Sequence, residues 1–207
     1  MEHGAWSMAD FFYVPCPMPN AISRLFIIFV HQKNQSILVR SEMFEVYLGI
    51  GGNLGDRLKN ISNAIGLISE KIAVPQKISS IYISEPWGFF HKKYFTNAVL
   101  MLRSNKSVEE IFKIIGDIEI EMKRQRNGTG YQGRTMDIDI LFYGSKIIES
   151  ETLTVPHPKI YQRLFVLLPM AEIAAQFEHP LLRKNIIELL HECDDKSKIR
   201  ILKSTSK

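Results

Sequence analysis

The hydrophobic period of the sequence changes from strand-like to helix-like and back, twice, between residues 45 and 143. Strand-like segments alternate apolar and polar residues, whereas helical segments repeat apolar residues at spacings of three and four. The segments are a strand at 45–50, a helix at 56–72, strands at 77–84 and 94–103, a helix that opens at the Ser107 capping box, and a strand at 137–143. Helical stretches near 160–175 and 184–192 follow. This order predicts an α+β fold: a ferredoxin-like βαββαβ antiparallel sheet covered by helices, with C-terminal helical additions.

Residues 1–42 do not share this pattern. Pro15, Pro17 and Pro19 break any regular element, and the apolar run at 25–30 has no clear period or caps. That run is well short of the roughly 20 residues of a membrane-spanning helix, and no small-residue cleavage site follows it. We therefore expect an N-terminal extension over 1–42, either loosely attached or preceding the true start at Met43. Residues 43–207 are expected to form one domain with a short basic C-terminal tail.

Composition limits the ligand class only loosely. The net charge is +4 and the sequence pI is about 9.0, which favours anionic ligands without separating a nucleotide from nucleic acid or a membrane surface. Cys16 and Cys193 lie far apart and outside any metal-binding spacing, so neither a disulfide framework nor a zinc site is indicated. A reducing cytoplasm is the expected location.

Two acids alternate with apolar residues in the last predicted strand of the core. The period of a strand places Asp137 and Asp139 on one face, with Cα atoms roughly 6.6 Å apart. Paired carboxylates repel each other, and a hard divalent cation such as Mg²⁺ relieves that repulsion while it bridges phosphate oxygens. The alternative is the solvated face of an edge strand, which a lone D-x-D pattern favours.

A basic segment precedes these acids. Lys123, Arg124, Arg126 and Arg134 have no acid among them, so their side chains could close over a polyphosphate beside the carboxylates. Arg124 and Arg126 could equally be basic residues that complement the C-terminal end of a helix dipole. Arg134 is harder to explain in that way, because it lies three residues before Asp137.

Two further features are less specific. The glycine turn at 51–55 fits neither the phosphate-binding loop G-x-x-x-x-G-K-[ST] nor the dinucleotide fingerprint, where Leu54 replaces the third glycine. His157 lies between Pro156 and Pro158 and could donate to a phosphate, although a lone loop histidine is usually structural.

Five separated blocks, in order and with compatible spacing, resemble the 6-hydroxymethyl-7,8-dihydropterin pyrophosphokinase family over about 44–192. They are Tyr47-Leu48-Gly49-Ile50-Gly51-Gly52-Asn53-Leu54-Gly55-Asp56, Ser84-Glu85-Pro86-Trp87-Gly88, Phe95-Thr96-Asn97-Ala98, Arg134-Thr135-Met136-Asp137-Ile138-Asp139-Ile140 and Leu153-Thr154-Val155-Pro156-His157-Pro158. The resemblance implies transfer of diphosphate from ATP to the pterin hydroxymethyl group in folate synthesis, with AMP as the leaving group.

The resemblance also implies a role for individual residues. Asp137 and Asp139 would bind two Mg²⁺ ions, and the catalytic set would be completed by Arg134, Arg124 and Arg126. The pterin would be bound by Ser84, Pro86, Trp87, Phe95, Asn97 and Phe165, with the two phenylalanines stacked on its faces. ATP would be bound by Glu119, Arg124, Arg126, Arg134, Ile140, Thr154, His157 and Arg163. The alternative for both phenylalanines is core packing, which would be preferred without the neighbouring Asn97.

The expected partners are ATP and the dihydropterin, with the product passed to dihydropteroate synthase, and neither nucleic acid nor a membrane is expected. Two departures from the family pattern affect the closing loop and ATP affinity: Gly130-Tyr131-Gln132-Gly133 lacks a basic residue, and Thr152 stands where arginine is frequent. Two alternatives stay open at this point. One is a nucleic-acid-binding module on a similar sheet, which would lack the usual K/R-G-F/Y-G/A-F run. The other is a catalytically weak relative that binds pterin or nucleotide as a regulator.

Overall fold

The computed structural model describes residues 26–32, 35–88, 91–122 and 134–202. The strands are β1 Phe26–Gln32, β2 Gln35–Ser41, β3 Phe44–Gly52, β4 Lys77–Ile78, β5 Tyr82–Ser84, β6 Phe95–Ser104, β7 Asp137–Tyr143, β8 Ile148–Glu149, β9 Thr154–Val155 and β10 Ile199–Ile201. The helices are α1 Arg57–Lys71, α2 Val108–Glu121, α3 Leu164–Ala174 and α4 Ile186–Glu192, with a 3₁₀ turn at Ile160–Gln162. Among these helices, none is long and apolar enough to cross a membrane.

The chain divides into two compact units, Met1–Phe44 and Glu45–Lys207. In the first unit, β1 and β2 form an antiparallel hairpin. The sequence pattern indicated no element over these residues, because neither strand shows a clear alternation of apolar and polar positions. The expectation that residues 1–42 are an extension, either loosely attached or preceding the true start at Met43, stays a prediction.

The second unit is built on a sheet with strand order β10-β5-β6-β3-β7, and β4 pairs with β6 beside this path. In chain order, β3, β5, β6 and β7 are the four strands of the βαββαβ core, and their arrangement in space is that of a ferredoxin-like sheet. The predicted fold class is therefore confirmed. Strand β10 is a difference, since residues 199–201 were expected to belong to a basic tail.

Both core helices begin where the sequence indicates. The Asp56 side chain accepts from Lys59 N at the start of α1, and the predicted capping box of α2 is present, with Ser107 and Glu110 each bonding the other's backbone N–H. The buried residues of α1 include Ile61 and Ile68, which belong to the predicted apolar stripe. Helix α2 ends at Glu121, and the backbone N–H of its C-cap residue Met122 bonds Ile118 O, so the helix ends earlier than the position near Arg126 that its apolar period predicts.

Helices α3 and α4 cover one face of the sheet. Here α3 and α4 pack against alternate residues of the strands, and the buried cluster consists of Tyr47, Val99, Met101, Leu141, Phe142, Ile160, Val166, Leu167, Met170, Ile186 and Leu189. The alternate residues Leu48 and Leu100 are also fully buried, so both faces of the central strands are covered.

The pairing of β3 with β7 contains one irregularity in its register. Tyr47 pairs with Phe142 and Leu48 pairs with Ile140, so Leu141 is an extra residue, as in a β-bulge. The bulge allows both Leu141 and Phe142 to join the cluster under α3. Beyond it, pairing continues regularly towards the two acids of β7.

Candidate active site

A cavity of about 230 Å³ opens where β3, β6 and β7 meet the start of α3. Ten of the residues predicted to bind substrate or metal line it: Ser84, Trp87, Phe95, Asn97, Arg134, Asp137, Asp139, His157, Arg163 and Phe165. They come from segments that are widely separated in the sequence, and the sheet brings them together. The remaining lining residues include Gly49, Gly51 and Leu141, to which the sequence analysis assigned no role in binding or catalysis.

Glycines create the space in front of the acids. In the β3–β7 pairing, Asp139 is opposite Gly49 and Asp137 is opposite Gly51, so no side chain of β3 fills the volume beside either carboxylate. A Cβ atom on Gly51 would lie 2.5 Å from Asn97 Oδ1. A Cβ atom on the next residue, Gly52, would lie 2.3 Å from the backbone oxygen of Thr135. Gly51 and Gly52 thus allow the close approach of Asn97 and of the Thr135 backbone, where a side chain would clash.

Each acid of β7 faces an arginine. Arg134 Nη1 donates to Asp137 Oδ2, and Arg163 Nη1 lies 3.8 Å from Asp139 Oδ2. Desolvation in the cavity raises the pKa of Asp139 well above its ordinary value. The nearby negative charge of Asp137 raises this pKa further, and the two arginines offset part of the rise. The cluster therefore holds two carboxylates close enough to repel each other.

This cluster fits a magnesium site completed by a substrate. Within the described residues, no group of three or more His, Cys, Asp or Glu side chains could hold a metal ion by itself. Mg²⁺ is commonly held by only one or two carboxylates, and its remaining ligands are water and substrate phosphate oxygens. Asp137 and Asp139 supply hard oxygen ligands of this kind, and a cation would relieve the repulsion that raises the Asp139 pKa.

A second part of the cavity combines an amide with aromatic rings. Asn97 Nδ2 donates to Ser84 Oγ at 2.9 Å, and both residues are buried. This bond fixes the orientation of the amide beside Phe95 and Phe165, which also line the cavity. A flat heteroaromatic ring with amide-like edges could stack on such rings while polar groups bond its edge.

Arg163 connects the two parts. Its guanidinium carbon lies 5.0 Å from the centroid of the Trp87 ring and 5.7 Å from that of Phe165. These distances allow cation–π attraction, and Lys159 Nζ lies 5.8 Å from the same tryptophan ring. The residue is buried, so its charge acts at short range on both the carboxylates and the aromatic wall.

His157 is neutral in this structure at physiological pH. Burial and the positive charge of Arg163 lower its pKa to about 4. Its Nδ1 accepts a hydrogen bond from Lys159 N at 3.2 Å, which assigns the proton of the neutral ring to Nε2. The side chain can thus act as a neutral hydrogen-bond donor in the cavity that it lines.

The structure does not place every predicted residue in the cavity lining. Pro86, Glu119, Ile140 and Thr154 are not among the lining residues. Glu119 is buried and accepts a hydrogen bond from Ile138 N at 3.0 Å, so it supports the strand between the two acids. The predicted phosphate ligands Arg124 and Arg126 lie outside the described residues.

One residue that sequence reasoning missed is Asn53, which is buried directly behind Arg134. Its Oδ1 accepts from Arg134 N at 2.8 Å, and its Nδ2 donates to His91 Nδ1 at 3.0 Å. Nδ2 also lies 3.4 Å from the Lys93 backbone oxygen. The only sequence signal was its place in the glycine turn, because its partners are 38 to 81 residues away.

Comparison with known sequences identifies a group of enzymes. The family profile of 7,8-dihydro-6-hydroxymethylpterin-pyrophosphokinase matches residues 47–175. The chain is 38% identical over 133 residues to the 2-amino-4-hydroxy-6-hydroxymethyldihydropteridine pyrophosphokinase of Bacillus subtilis, covering 64% of this chain and 79% of the relative. The enzyme of the same name from Aquifex aeolicus is 37% identical over 150 residues, covering 72% of this chain and 92% of the relative.

Comparison with solved structures agrees at the level of the fold. A Plasmodium falciparum HPPK-DHPS structure with pteroate matches with a TM-score of 0.58 at 15% identity, covering 72% of this chain. The triple mutant of the same protein, S436F/A437G/A613T with STZ-DHP, matches with a TM-score of 0.59. The chain spans only 43% to 44% of the length of these two solved chains.

Proposed function

The chain belongs to the 7,8-dihydro-6-hydroxymethylpterin-pyrophosphokinase family, and we propose that the cavity described above is its active site. As a member it is an ATP-dependent diphosphotransferase of folate synthesis, which transfers diphosphate to the hydroxymethyl group of 6-hydroxymethyl-7,8-dihydropterin. One observation carries the assignment of the site. The two carboxylates with their arginines share a single cavity with the Ser84–Asn97 pair and two phenylalanine rings.

We propose that Asp137 and Asp139 would hold two Mg²⁺ ions. When bound, these ions neutralise charge on the ATP phosphates and orient them. The support from this chain is the pair of carboxylates opposite Gly49 and Gly51, which leaves space for phosphate oxygens to complete the coordination.

The pterin occupies the aromatic part of the cavity. Asn97 and Ser84 bond its amide-like edge, and their mutual hydrogen bond holds the Asn97 amide in one orientation before the substrate arrives. Phe95 and Phe165 stack on the ring, with Trp87 closing the wall beside Arg163. A site arranged in advance loses less free energy in ordering when it binds.

The transfer of diphosphate takes place between the carboxylate–arginine cluster and the aromatic part of the cavity. The pterin hydroxyl oxygen forms a bond to the β-phosphorus of ATP, the bond from that phosphorus to the oxygen of the α-phosphate breaks, and AMP leaves while the hydroxyl loses its proton. Arg134 and Arg163 stabilise the charge that develops on the phosphate oxygens, because both guanidinium groups already lie at the carboxylates that hold the cations. His157 adds a neutral donor from Nε2.

Water must be kept from the reacting phosphorus, because hydrolysis of ATP is the competing reaction. We propose that Arg124, Arg126, Glu119, Ile140 and Thr154 contribute to ATP binding and that Pro86 contributes to pterin binding, as the family pattern implies. We also propose that the protein works in the cytoplasm and that its product passes to dihydropteroate synthase. The solved relatives support that partner, since their names join HPPK to DHPS in one protein.

Product analysis tests the proposal. Purified protein is mixed with ATP, Mg²⁺ and the dihydropterin, and the products are separated by chromatography with mass detection. AMP formed one-for-one with pterin diphosphate is the expected result. ADP with a pterin monophosphate would overturn attack at the β-phosphorus. Pterin binding without turnover would instead favour a regulatory protein. Unchanged activity in Asp137→Ala and Asp139→Ala would be incompatible with the proposed metal site.

A further inference from the structure

The C-terminal segment 194–202, here called the C-terminal strap, lies beyond the residues 47–175 that the family profile matches. It contains β10 and the loop that precedes it. The strap contacts two of the segments that line the pterin part of the cavity, one on β5 and the other at the start of α3. None of the site residues discussed above belongs to it.

The first contact extends the sheet. Strand β10 pairs antiparallel with β5, with Ile199 opposite Ser84 and Ile201 opposite Tyr82, and Leu202 N donates to Ile81 O at 2.7 Å. Strand β5 has only three residues. Without β10 it would be the edge of the sheet, and its outer backbone groups would lose their strand partner. Ser84, which bonds Asn97, is therefore held from both sides.

The second contact caps α3. The carboxylate of Asp195 accepts a hydrogen bond from Leu164 N at 3.0 Å, and Leu164 is the first residue of this helix. The N-cap residue of α3, Arg163, makes no capping hydrogen bond with its own side chain. Asp195 is itself oriented, since its other oxygen accepts from Ser197 N at 2.9 Å and from Ser197 Oγ at 2.5 Å.

Leu164 lies between two residues of the cavity, Arg163 and Phe165. The cap satisfies an N–H that the helix leaves without an internal partner, and the negative charge is favourable at a helix N-terminus. Fixing this backbone position fixes the direction in which both neighbouring side chains leave the chain. The strap thus acts at the junction between the carboxylate cluster and the aromatic wall.

We propose that the C-terminal strap is a positioning element for the pterin, with Asp195 as its positioning residue. Asp195 fixes Arg163 and Phe165 by capping α3, while β10 fixes Ser84 by completing the sheet beside β5. The proposal rests on the function proposed above, because it assumes that the cavity binds a pterin. It assigns to residues outside the family match a role in substrate affinity.

Three variants test it. Asp195→Ala removes the cap, Asp195→Asn keeps a good capping side chain without the charge, and Asp194→Ala is a matched control at an exposed neighbouring aspartate. The Kd of 6-hydroxymethyl-7,8-dihydropterin is measured by calorimetry without nucleotide, well below each variant's Tm. We expect a roughly three- to tenfold rise in Kd for Asp195→Ala, in line with the free energy of a lost cap, and near wild-type values for the other two.

The outcomes separate the two proposals. A wild-type protein that binds no dihydropterin and forms no pterin diphosphate would remove the proposed function. A wild-type protein that does both, with equal Kd values for Asp195→Ala and Asp194→Ala, would overturn the role of the strap alone. A lower Tm for Asp195→Ala with an unchanged Kd would mean that the cap stabilises the fold only, which also overturns it. A chain ending at Cys193 should bind the dihydropterin more weakly than Asp195→Ala, because it also lacks β10. If that truncated chain does not fold, the three point variants decide.

Discussion

Replacing Asn53 by alanine should slow the enzyme although Asn53 does not line the cavity. The side chain is buried, with 1% of its surface exposed, and it joins three segments. Its Oδ1 accepts from the backbone of Arg134, and its Nδ2 bonds His91 and lies close to the Lys93 backbone oxygen. The substitution therefore releases the backbone of the arginine that bonds Asp137 and, at the same time, the segment 91–93.

The size of the effect follows from the bond to Arg134. Leaving a buried N–H without an acceptor costs about 1–3 kcal/mol. Backbone bonds from Asn53 N at 2.9 Å and Leu54 N at 3.2 Å to Arg134 O remain, so the segment should stay near its place. If about 1.4 kcal/mol of the lost free energy is expressed in the transition state, kcat falls roughly tenfold. The loss of about 1–3 kcal/mol should also lower the Tm by about 2–12 °C.

Steady-state kinetics and thermal unfolding of Asn53→Ala measure both quantities. Asn60→Ala is the matched control, because Asn60 Nδ2 donates to Leu54 O at 3.0 Å and lies 3.4 Å from Thr135 O. It therefore supports the same turn without bonding Arg134 or the segment 91–93. We expect the control to lower the Tm while kcat stays within about twofold of wild type. Equal kcat values for Asn53→Ala and Asn60→Ala would refute the argument that Asn53 positions Arg134.

Three further predictions concern the cavity itself. Asp137→Ala and Asp139→Ala should each abolish most turnover and weaken Mg²⁺ binding, measured by calorimetry in the presence of a non-hydrolysable ATP analogue; unchanged Mg²⁺ affinity would contradict the metal role. Arg134→Ala should lower kcat by about 10²- to 10³-fold, whereas a change confined to the ATP KM would indicate ground-state binding. His157→Gln should alter the pH dependence of stability, measured as Tm from pH 4 to 7. The folded pKa of about 4 is below the ordinary 6.5, so wild type loses stability as the pH falls through this window. The variant should lose less, and parallel curves would contradict the burial of a neutral histidine.

The sequence predicts those parts of the fold that depend on neighbours in the chain. The capping box at Ser107 depends on residues within one helical turn, and the strand at 137–143 has the bounds that its pattern indicated. The segment expected at 77–84 is instead two short strands, β4 and β5, that pair with different parts of β6. Their division depends on the partner strand, which no local period records.

Features that depend on distant partners were not predictable in this way. The extra residue Leu141 is defined only by the register between β7 and β3. Strand β10 has three residues, too few to show an alternation, and it exists because β5 offers an open edge. The capping of α3 by Asp195 joins residues 31 positions apart. Such contacts need the folded chain, whereas family resemblance alone located Ser84, Asn97 and Phe165.

The carboxylates and arginines of the site have a common electrostatic logic. Two negative and two positive side chains form the Arg134–Asp137 and Arg163–Asp139 pairs, so neither acid lies in the cavity without a nearby opposite charge. In the proposed substrate complex, a cation and a polyphosphate would supply the same charges with exchanged partners: the carboxylates would face the cation, and the guanidinium groups would face phosphate oxygens. This exchange would leave no charge uncompensated, so the proposed site would suit both the free and the substrate-bound protein. The same logic explains why Asn53 and Asp195, which hold the backbone at or beside each arginine, should affect catalysis and binding from outside the cavity.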